Sequence, residues 1–136
     1  MKRDKALITG IAALALAVAP VGLAAKGHGQ GGTTGTGYTV SVSPGGPYSL
    51  GESVSVVTSV PLTMNAYISM KCTQNGTVVG TDDHANFPGG WYYQSPFQLG
   101  PSLAWTSGAA DCTFKVWHYS RNKQVTDAST TIHVDG

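Results

Sequence analysis

Short segments in which apolar and polar residues alternate, each ended by turn-forming residues, constrain the fold of this chain most strongly. Apolar or β-branched side chains recur at every second position in Tyr38–Val42, Glu52–Val60 and Ala66–Thr73. Successive side chains of a strand point to opposite faces, so one face of each segment is expected to enter a core and the other to meet water. The pattern predicts an all-β antiparallel sandwich of about seven strands.

The clearest predicted strand is Asp111–Ser120, which is followed by a returning strand from Val125 to Val134. If the face with Cys112, Phe114 and Val116 is the core face, alternation places Trp117 and Tyr119 on the outer surface of the same sheet.

An Asn75-Gly76 pair stands between two of the predicted strands. A two-residue hairpin turn needs positive φ at both central residues, and Asn-Gly supplies it. The pair therefore predicts a hairpin that joins Ala66–Thr73 to a short strand at Thr77–Gly80, followed by an irregular segment from Asp82 to Trp91. Asn75-Gly76-Thr77 also has the form of an N-glycosylation acceptor, but the turn is the favoured interpretation.

The N-terminus has the pattern of an export signal. Three basic residues in positions 1–5 precede an uncharged, mostly apolar run from Ala6 to Ala25. A retained membrane anchor is the alternative, because about 20 apolar residues can span a bilayer. Pro20 and Gly22 break the apolar helix ahead of small residues, which favours cleavage and predicts a signal peptide at 1–25. The mature protein is then expected to be secreted and extracellular, with no membrane association.

Residues 26–37 contain six glycines and no apolar side chain. Such a segment cannot recover its ordering entropy by burial, which predicts a flexible linker before a folded domain at 38–136. Its removal is expected to leave stability unchanged. Gly27, Gly29 and Gly32 match the spacing of a dinucleotide-binding loop, but the strand and the helix that such a loop requires are missing from the pattern.

The two cysteines, Cys72 and Cys112, both fall on apolar faces of predicted strands. In an exported protein with no third cysteine, a disulfide between them is the expected state. A metal-binding or nucleophilic pair of cysteines is the alternative. No C-x-x-C spacing is present, however, and His118, six residues after Cys112, is the only other candidate metal ligand on that strand.

Four runs of the sequence resemble a family. They are Gly51–Val56, Met70–Gly76, Phe97–Leu99 and, most specifically, Trp105–Thr113, which reads WTSGAADCT. Together they resemble small secreted or phage-associated immunoglobulin-like domains of high-GC Gram-positive (actinobacterial-type) bacteria. The resemblance covers residues 38–136, implies an immunoglobulin-like sandwich with an extracellular location, and carries over no catalytic residue.

The chain departs from the antibody pattern in two respects. The interval between Cys72 and Cys112 is short, and no tryptophan follows Cys72 at the position that packs on a bridge between sheets. The bridge is therefore expected to join neighbouring strands of one sheet.

Charge and motif content argue against several function classes. The net charge is +1 and no Lys/Arg cluster occurs after the first five residues, so nucleic acid is not an expected partner. Asp82-Asp83-His84 could form part of a metal or acid/base site, but a polar loop is the favoured interpretation. Glu52 is the only glutamate, and no G-x-S-x-G nucleophile elbow occurs. We therefore expect no enzyme activity, no metal site and no cofactor.

Aromatic residues offer the best candidate for a binding surface. Trp91, Tyr92 and Tyr93 follow Phe87 in the irregular segment, and Trp117 and Tyr119 lie on the predicted outer face. Tryptophan and tyrosine add a large contact area at a small entropy cost, as interface hot spots and sugar-binding platforms do. The alternative is structural, with Trp91 and Tyr93 covering a sheet edge and Trp117 packed under a loop.

The expected function is that of a secreted, non-enzymatic binding or adhesion module. Its partner is either a glycan of the cell envelope or a protein, and the sequence does not separate the two. The first alternative is a structural decoration or fibre subunit that assembles through sheet edges. An enzyme or an enzyme inhibitor is a weaker alternative.

Overall fold

The computed structural model describes residues 32–33 and 36–136, and this part of the chain is all-β. The predicted signal peptide, 1–25, lies outside the described residues. The strands are β1 (Gly32–Thr33), β2 (Thr39–Ser43), β3 (Tyr48–Ser49), β4 (Ser53–Thr58), β5 (Tyr67–Gln74), β6 (Thr77–Ala85), β7 (Phe97–Gln98), β8 (Ala110–Ser120) and β9 (Lys123–Asp135). A single 3₁₀ turn at Leu62–Met64 precedes β5 in this described part.

The strands form two sheets. One has the order β1-β2-β4-β7 and the other the order β3-β9-β8-β5-β6. All neighbouring strands are antiparallel except β3 and β9, which run parallel. The described residues hold nine strands, where the sequence predicts about seven. The two strands beyond the expected seven are β1 and β3, which contain two residues each, too few for an alternating pattern to register.

Both sheets contribute to one hydrophobic core. The predicted alternation of β8 is confirmed, since Cys112, Phe114 and Val116 are fully buried. Phe114 meets Phe97 of the opposite sheet edge to face, with ring centroids 5.4 Å apart. This contact and the shared core show that the inner faces of the two sheets pack together.

The predicted disulfide between Cys72 and Cys112 is confirmed. The two cysteines lie directly opposite each other on β5 and β8, with Cα atoms 4.0 Å apart. Both are fully buried on the core side of the five-stranded sheet. The bridge therefore joins neighbouring strands of one sheet, as expected.

The β5–β6 hairpin turns at Asn75 and Gly76, which have φ values of 48° and 80°. Its second strand is longer than predicted, because β6 continues to Ala85 instead of ending at Gly80. The Asp82-Asp83-His84 segment thus lies in a strand and not in a polar loop. The alternating pattern does not reveal this part of the strand, because the buried residue His84 is polar. His84 pairs with Asp82 and stacks on Phe97, with ring centroids 3.7 Å apart.

Trp105, in the connection before β8, is the buried tryptophan of the core and is only 1% exposed. Its indole N–H donates to the Gly108 carbonyl at 2.9 Å. It lies beside Gly80 and the bridge, since a Cβ at Gly80 would stand 3.9 Å from Cε3 of Trp105 and 3.8 Å from the Cβ of Cys72. A tryptophan thus reaches the neighbourhood of the disulfide from a loop, not from the strand that carries Cys72.

The structure differs from the sequence prediction at the segment 26–37. Gly32–Thr33 forms β1, which pairs with β2, and the Thr36 hydroxyl donates a 2.7 Å hydrogen bond to the Asp127 carbonyl. A strand that pairs through its backbone needs no apolar side chain. The composition of this segment therefore does not reveal β1 and predicts a linker instead. The described fold therefore reaches beyond the predicted boundary at Tyr38.

Replacing Thr36 with valine is expected to lower the free energy of unfolding by about 0.5–1.5 kcal/mol, since it removes the hydrogen bond to Asp127. Thr39→Val, at an exposed threonine of β2, is the control and should have little effect. Urea unfolding curves measure both changes. Equal stability of the wild type and Thr36→Val would show that the hydrogen bond from Thr36 to Asp127 adds nothing to the fold.

Removing the bridge, by reduction or in a Cys72→Ala/Cys112→Ala variant, is expected to lower the free energy of unfolding by about 2–5 kcal/mol. Urea unfolding with and without reductant measures the loss, and the double variant, which has no bridge, should not respond to reductant. Two free thiols in protein purified from the culture medium would contradict the expectation.

Candidate functional site

Five aromatic side chains gather on the outer face of the five-stranded sheet, away from the core. They are Tyr67 on β5, Phe87 and Trp91 in the connection after β6, and Trp117 and Tyr119 on β8. We call them the aromatic cluster. Tyr67 is its centre, because the other four rings all contact it.

Strand register brings the two central rings together. Tyr67 lies five residues before Cys72 and Trp117 lies five residues after Cys112, so the antiparallel pairing that sets the cysteines opposite each other also pairs these two aromatics. Alternation then points both of them outward, because the cysteine side of these strands faces the core. The outward placement of Trp117 and Tyr119 thus follows the sequence prediction.

The rings stand side by side on the sheet. Tyr67 stacks on Trp117 at 4.8 Å and on Trp91 at 5.1 Å, with interplanar angles of 29° and 27°. These spacings are close to the roughly 4.8 Å that separates neighbouring strands. The two faces of the Tyr67 ring are therefore covered by the indoles, and the row presents ring edges to solvent.

Hydrogen bonds hold both indoles. Nε1–H of Trp117 donates to Oγ of Ser69 at 2.7 Å, and the Ser69 hydroxyl donates to Oδ1 of Asp83 at 2.5 Å. Nε1–H of Trp91 donates to the carbonyl of Asp83 at 3.1 Å. The polar ends of the two indoles are satisfied within the protein, which fixes the orientation of their rings.

The cluster has exposed ends and a half-buried centre. Trp91 is 53% exposed and Tyr119 is 64% exposed, whereas Tyr67, Phe87 and Trp117 are half-buried. The next row of the same face is polar, with Ser69 between Asp83 on β6 and Lys115 on β8. An apolar ridge beside a polar, charged row resembles the centre and rim of a protein interface.

The structure divides the predicted aromatic residues into two groups. Trp91, Trp117 and Tyr119 lie in the aromatic cluster. Tyr92 instead faces His84, with ring centroids 5.3 Å apart, and Tyr93 lines a cleft of about 80 Å³ that lies between the segment after Trp91 and β4. Chain reversal at Tyr92, which has a φ of 53°, separates these neighbours.

Tyr67 is the member of the cluster that the sequence analysis missed. A signal for it exists in the sequence, namely its distance of five residues from Cys72, which equals the distance of Trp117 from Cys112. Combining the expected in-sheet disulfide with antiparallel pairing would have placed the two rings opposite each other.

The histidine–carboxylate pairs of the described residues do not converge on one site. His84 bonds to Asp82 at 3.0 Å and to the Ser95 carbonyl at 3.2 Å, and it is only 4% exposed. His118 bonds to Asp127, and His133 bonds to Asp111. Within residues 32–33 and 36–136, no group of three or more His, Cys, Asp or Glu side chains could hold a metal ion.

Comparison with known proteins gives no family model, no curated protein and no solved structure that matches this chain. The resemblance to immunoglobulin-like domains of actinobacterial type stays a prediction. In the part of the chain that the structure describes, no helix has the length and apolar character needed to cross a membrane.

A double-mutant cycle between Tyr67 and Trp117 tests the geometry of the cluster. Replacing both with alanine, singly and together, is expected to give a coupling energy of about 0.5–1.5 kcal/mol in urea unfolding, the usual value for an aromatic pair. The control cycle pairs Tyr67 with Val57, an exposed residue of the other sheet, and should give a value near zero. Equal coupling in the two cycles would contradict direct stacking.

Proposed function

We propose that this chain is a secreted, non-enzymatic binding module that recognises its partner with the aromatic cluster on the outer face of the five-stranded sheet. The observation that carries the proposal is the stack of Trp91, Tyr67 and Trp117 on a surface that the core does not require. Large rings placed in water cost solubility unless a partner covers them, and exposed apolar patches of this kind mark interaction sites.

Rigidity supports a binding role for the cluster. Its indoles are fixed by hydrogen bonds to Ser69 and Asp83, and its centre is set by strand pairing. A surface held in its bound shape loses little conformational entropy on association. Rigid tryptophan and tyrosine side chains are also the residues that most often dominate binding energy at interfaces.

The geometry favours a protein partner over a glycan. A sugar ring stacks on an open aromatic face and accepts hydrogen bonds from nearby donors. Both faces of Tyr67 are covered, and both indole N–H groups already donate within the protein. Ring edges beside a charged row suit the side chains of a protein surface better. A cell-envelope glycan remains the second candidate. Within the stack of Trp91, Tyr67 and Trp117, it would contact the face of Trp91 that points away from Tyr67.

Strand order supports an immunoglobulin-like assignment of the fold. In that assignment β2, β4 and β7 take the positions of strands A, B and E, and β9, β8, β5 and β6 take those of G, F, C and C′. The chain crosses between the sheets five times, after β2, after β3, after β4, after β6 and after β7. The disulfide then joins strands C and F of one sheet, where antibody domains join B and F across two sheets.

Secretion rests on the predicted signal peptide at 1–25 together with the disulfide. A buried bridge forms and persists in oxidising surroundings outside the cytosol. The two features are independent, since one lies in the leader and the other in the folded domain. Their agreement supports an extracellular location for the binding surface.

The structural alternative is assembly through sheet edges. Hydrogen bonds along β6, an edge strand of the described five-stranded sheet, argue against it. The outward carbonyl of Val79 accepts from the Ser102 hydroxyl at 2.7 Å. The carbonyl of Asp83 accepts from Trp91 Nε1–H, and the N–H of Ala85 donates to the Trp91 carbonyl at 2.9 Å. Backbone groups that are already bonded cannot template a further strand.

The binding proposal is tested with the purified secreted protein and an envelope fraction of Gram-positive cells. Tyr119→Ala and Trp91→Ala are each expected to weaken retention by about tenfold or more, as hot-spot truncations do. Tyr92→Ala is the matched control, because Tyr92 and Tyr119 are both 64% exposed but only Tyr119 belongs to the cluster. Protease treatment of the fraction should abolish retention if the partner is a protein.

Retention that survives protease but not glycan-degrading enzymes would assign the partner to the glycan class. Equal losses in Tyr92→Ala and Tyr119→Ala, or no loss in either cluster variant, would contradict the assignment of the cluster as the binding surface. Trp117→Ala is not used, because Trp117 is half-buried and its loss would change stability more than the loss of the exposed Trp91.

A further inference from the structure

His84 is a buried histidine on the core side of β6, and both nitrogens of its ring face acceptors. Nδ1 lies 3.2 Å from the carbonyl oxygen of Ser95, and Nε2 lies 3.0 Å from Oδ2 of Asp82. A carbonyl and a carboxylate only accept hydrogen bonds, and a neutral imidazole carries a proton on only one of its nitrogens. The protonated ring is therefore the form that makes both hydrogen bonds.

The aromatic neighbours of His84 also suit a protonated ring. The Phe97 ring stacks on it, with centroids 3.7 Å apart and an interplanar angle of 12°, and the Tyr92 ring lies at 5.3 Å. A cation over the face of an aromatic ring is attracted by the negative charge of that face. A buried charge also needs a charged or hydrogen-bonding partner, and Asp82 supplies one.

Asp82 is the charged group that faces His84 from its own strand. Its side chain is 40% exposed, and its Oδ1 accepts from the N–H of Asp83 at 2.9 Å, so both carboxylate oxygens act as acceptors. The connection after β6 brings two further titratable groups, the phenols of Tyr92 and Tyr93. The described residues that line the adjoining cleft from β4, β5 and β7 do not titrate, and they are Ser55, Val56, Ile68 and Phe97. Among these residue types, histidine is the one that ordinarily changes charge between about pH 5 and 8.

The segment 91–95 joins the surroundings of His84 to the aromatic cluster. At its start, the ring of Trp91 lies in the cluster on the outer face of the sheet. Tyr92 and Ser95 instead contact His84 on the core side of β6. A contact made or lost at the buried histidine is therefore only a few residues away from one end of the candidate binding surface.

The backbone of this segment is strained at two positions. Tyr92 and Gln94 have φ values of 53° and 61°, in the left-handed region that residues with a side chain rarely adopt. Such conformations persist where the surrounding contacts hold them. The bond from His84 to the Ser95 carbonyl is one of the contacts that hold this segment.

Loss of the proton removes one of the two hydrogen bonds of His84. The carboxylate of Asp82 is the stronger acceptor because it is charged, so the remaining proton stays on Nε2. The lone pair of Nδ1 then faces the carbonyl oxygen of Ser95, and the two repel each other. The bond that is present at low pH and lost as the pH rises is therefore the one that holds the segment 91–95.

We propose that His84 is a pH-sensitive latch on the aromatic cluster. The protonated ring holds the segment 91–95 and keeps Trp91 in the stack, and loss of the proton releases the segment. A partner bound through the cluster is then held more tightly in mildly acidic surroundings than at alkaline pH. This effect on binding rests on the proposed function, whereas the latch itself rests only on the contacts of His84.

An NMR titration of the purified protein from about pH 5 to 9 tests the latch, since histidine ordinarily changes charge within this range. The chemical shifts of the ring nitrogens report which of them carry protons. Both nitrogens of His84 should be protonated at the acidic end, and only Nε2 at the upper end. In the same step the NOE cross-peak between Tyr67 and Trp91 should weaken. The cross-peak between Tyr67 and Trp117 is the internal control and should not change, because Trp117 is held by Ser69.

Asp82→Asn separates the latch from a general effect of pH. The oxygen of the new amide can still accept from the Asp83 N–H, while its NH₂ group donates to Nε2 of His84. The neutral ring then carries its proton on Nδ1 and still bonds to Ser95. The cross-peak of Trp91 should therefore stay strong up to the highest pH.

Two histidine variants complete the set. His84→Gln has no ring to titrate and should remove the step in the Trp91 cross-peak. His133→Gln is the matched control, because His133 also bonds to an aspartate but is 53% exposed and lies on β9. It should leave the step at the same pH as in the wild type.

Retention on the envelope fraction, measured at both ends of the titration, tests the effect on binding. Wild-type retention should fall at the upper pH by about tenfold, towards that of Trp91→Ala, and Asp82→Asn should prevent this fall. A step seen by NMR without a change in wild-type retention would overturn the control of binding. If Trp91→Ala binds like the wild type at both ends, the proposed function fails, while the NMR result still decides whether the latch exists.

Three NMR results would overturn the latch. The first is a His84 ring that keeps one protonation state from about pH 5 to 9. The second is a titration of His84 that leaves the Trp91 cross-peak unchanged. The third is a loss of that cross-peak with rising pH in Asp82→Asn or in His84→Gln, since neither variant can lose the bond to Ser95 in this way.

Discussion

The antiparallel pairing of β5 with β8, fixed by the bridge between Cys72 and Cys112, is the interaction on which the rest of the structure depends. The bridge lies on the core side at a position where the two cysteines face each other directly. A slip of one residue would move every side chain of these strands to the opposite face. A covalent link at one pair therefore sets the register for the whole length of the two strands.

That register has consequences on both faces of the sheet. On the inner face it places Phe114 against Phe97 of the other sheet and so ties the two sheets together. On the outer face it places Tyr67 beside Trp117, and β6 with its following loop adds Trp91 to the other side of Tyr67. Core packing and the candidate binding surface thus have a common origin in one strand pair.

The sequence predicts those features that depend on strong local periodicity. The alternation of β8, the Asn75-Gly76 turn and the in-sheet bridge all follow from neighbouring residues or from a single pair. The extent of β6 does not follow, because His84 is buried by pairing with Asp82 and breaks the apolar pattern. Strand β1 is missed for a related reason, since pairing through the backbone leaves no trace in side-chain composition.

The candidate site shows the same limit. Alternation points Trp117 and Tyr119 outward, but it cannot say which rings from other strands will meet them. Tyr92 and Trp91 are neighbours in sequence, yet a left-handed residue at Tyr92 sends them to different surroundings. Grouping residues by closeness along the chain therefore places Tyr92 and Tyr93 in a surface to which they do not belong.

The central claim is that the aromatic cluster is already formed in the free protein. Two-dimensional NOE spectroscopy of the unbound protein tests it most directly, together with the hydrogen exchange rate of the Trp117 indole. Strand register and the bond to Ser69 predict cross-peaks from the Tyr67 ring to both indoles, and slow exchange of the Trp117 indole N–H. Cross-peaks to only one indole, or an indole N–H that exchanges as fast as a free one, would contradict a preformed surface.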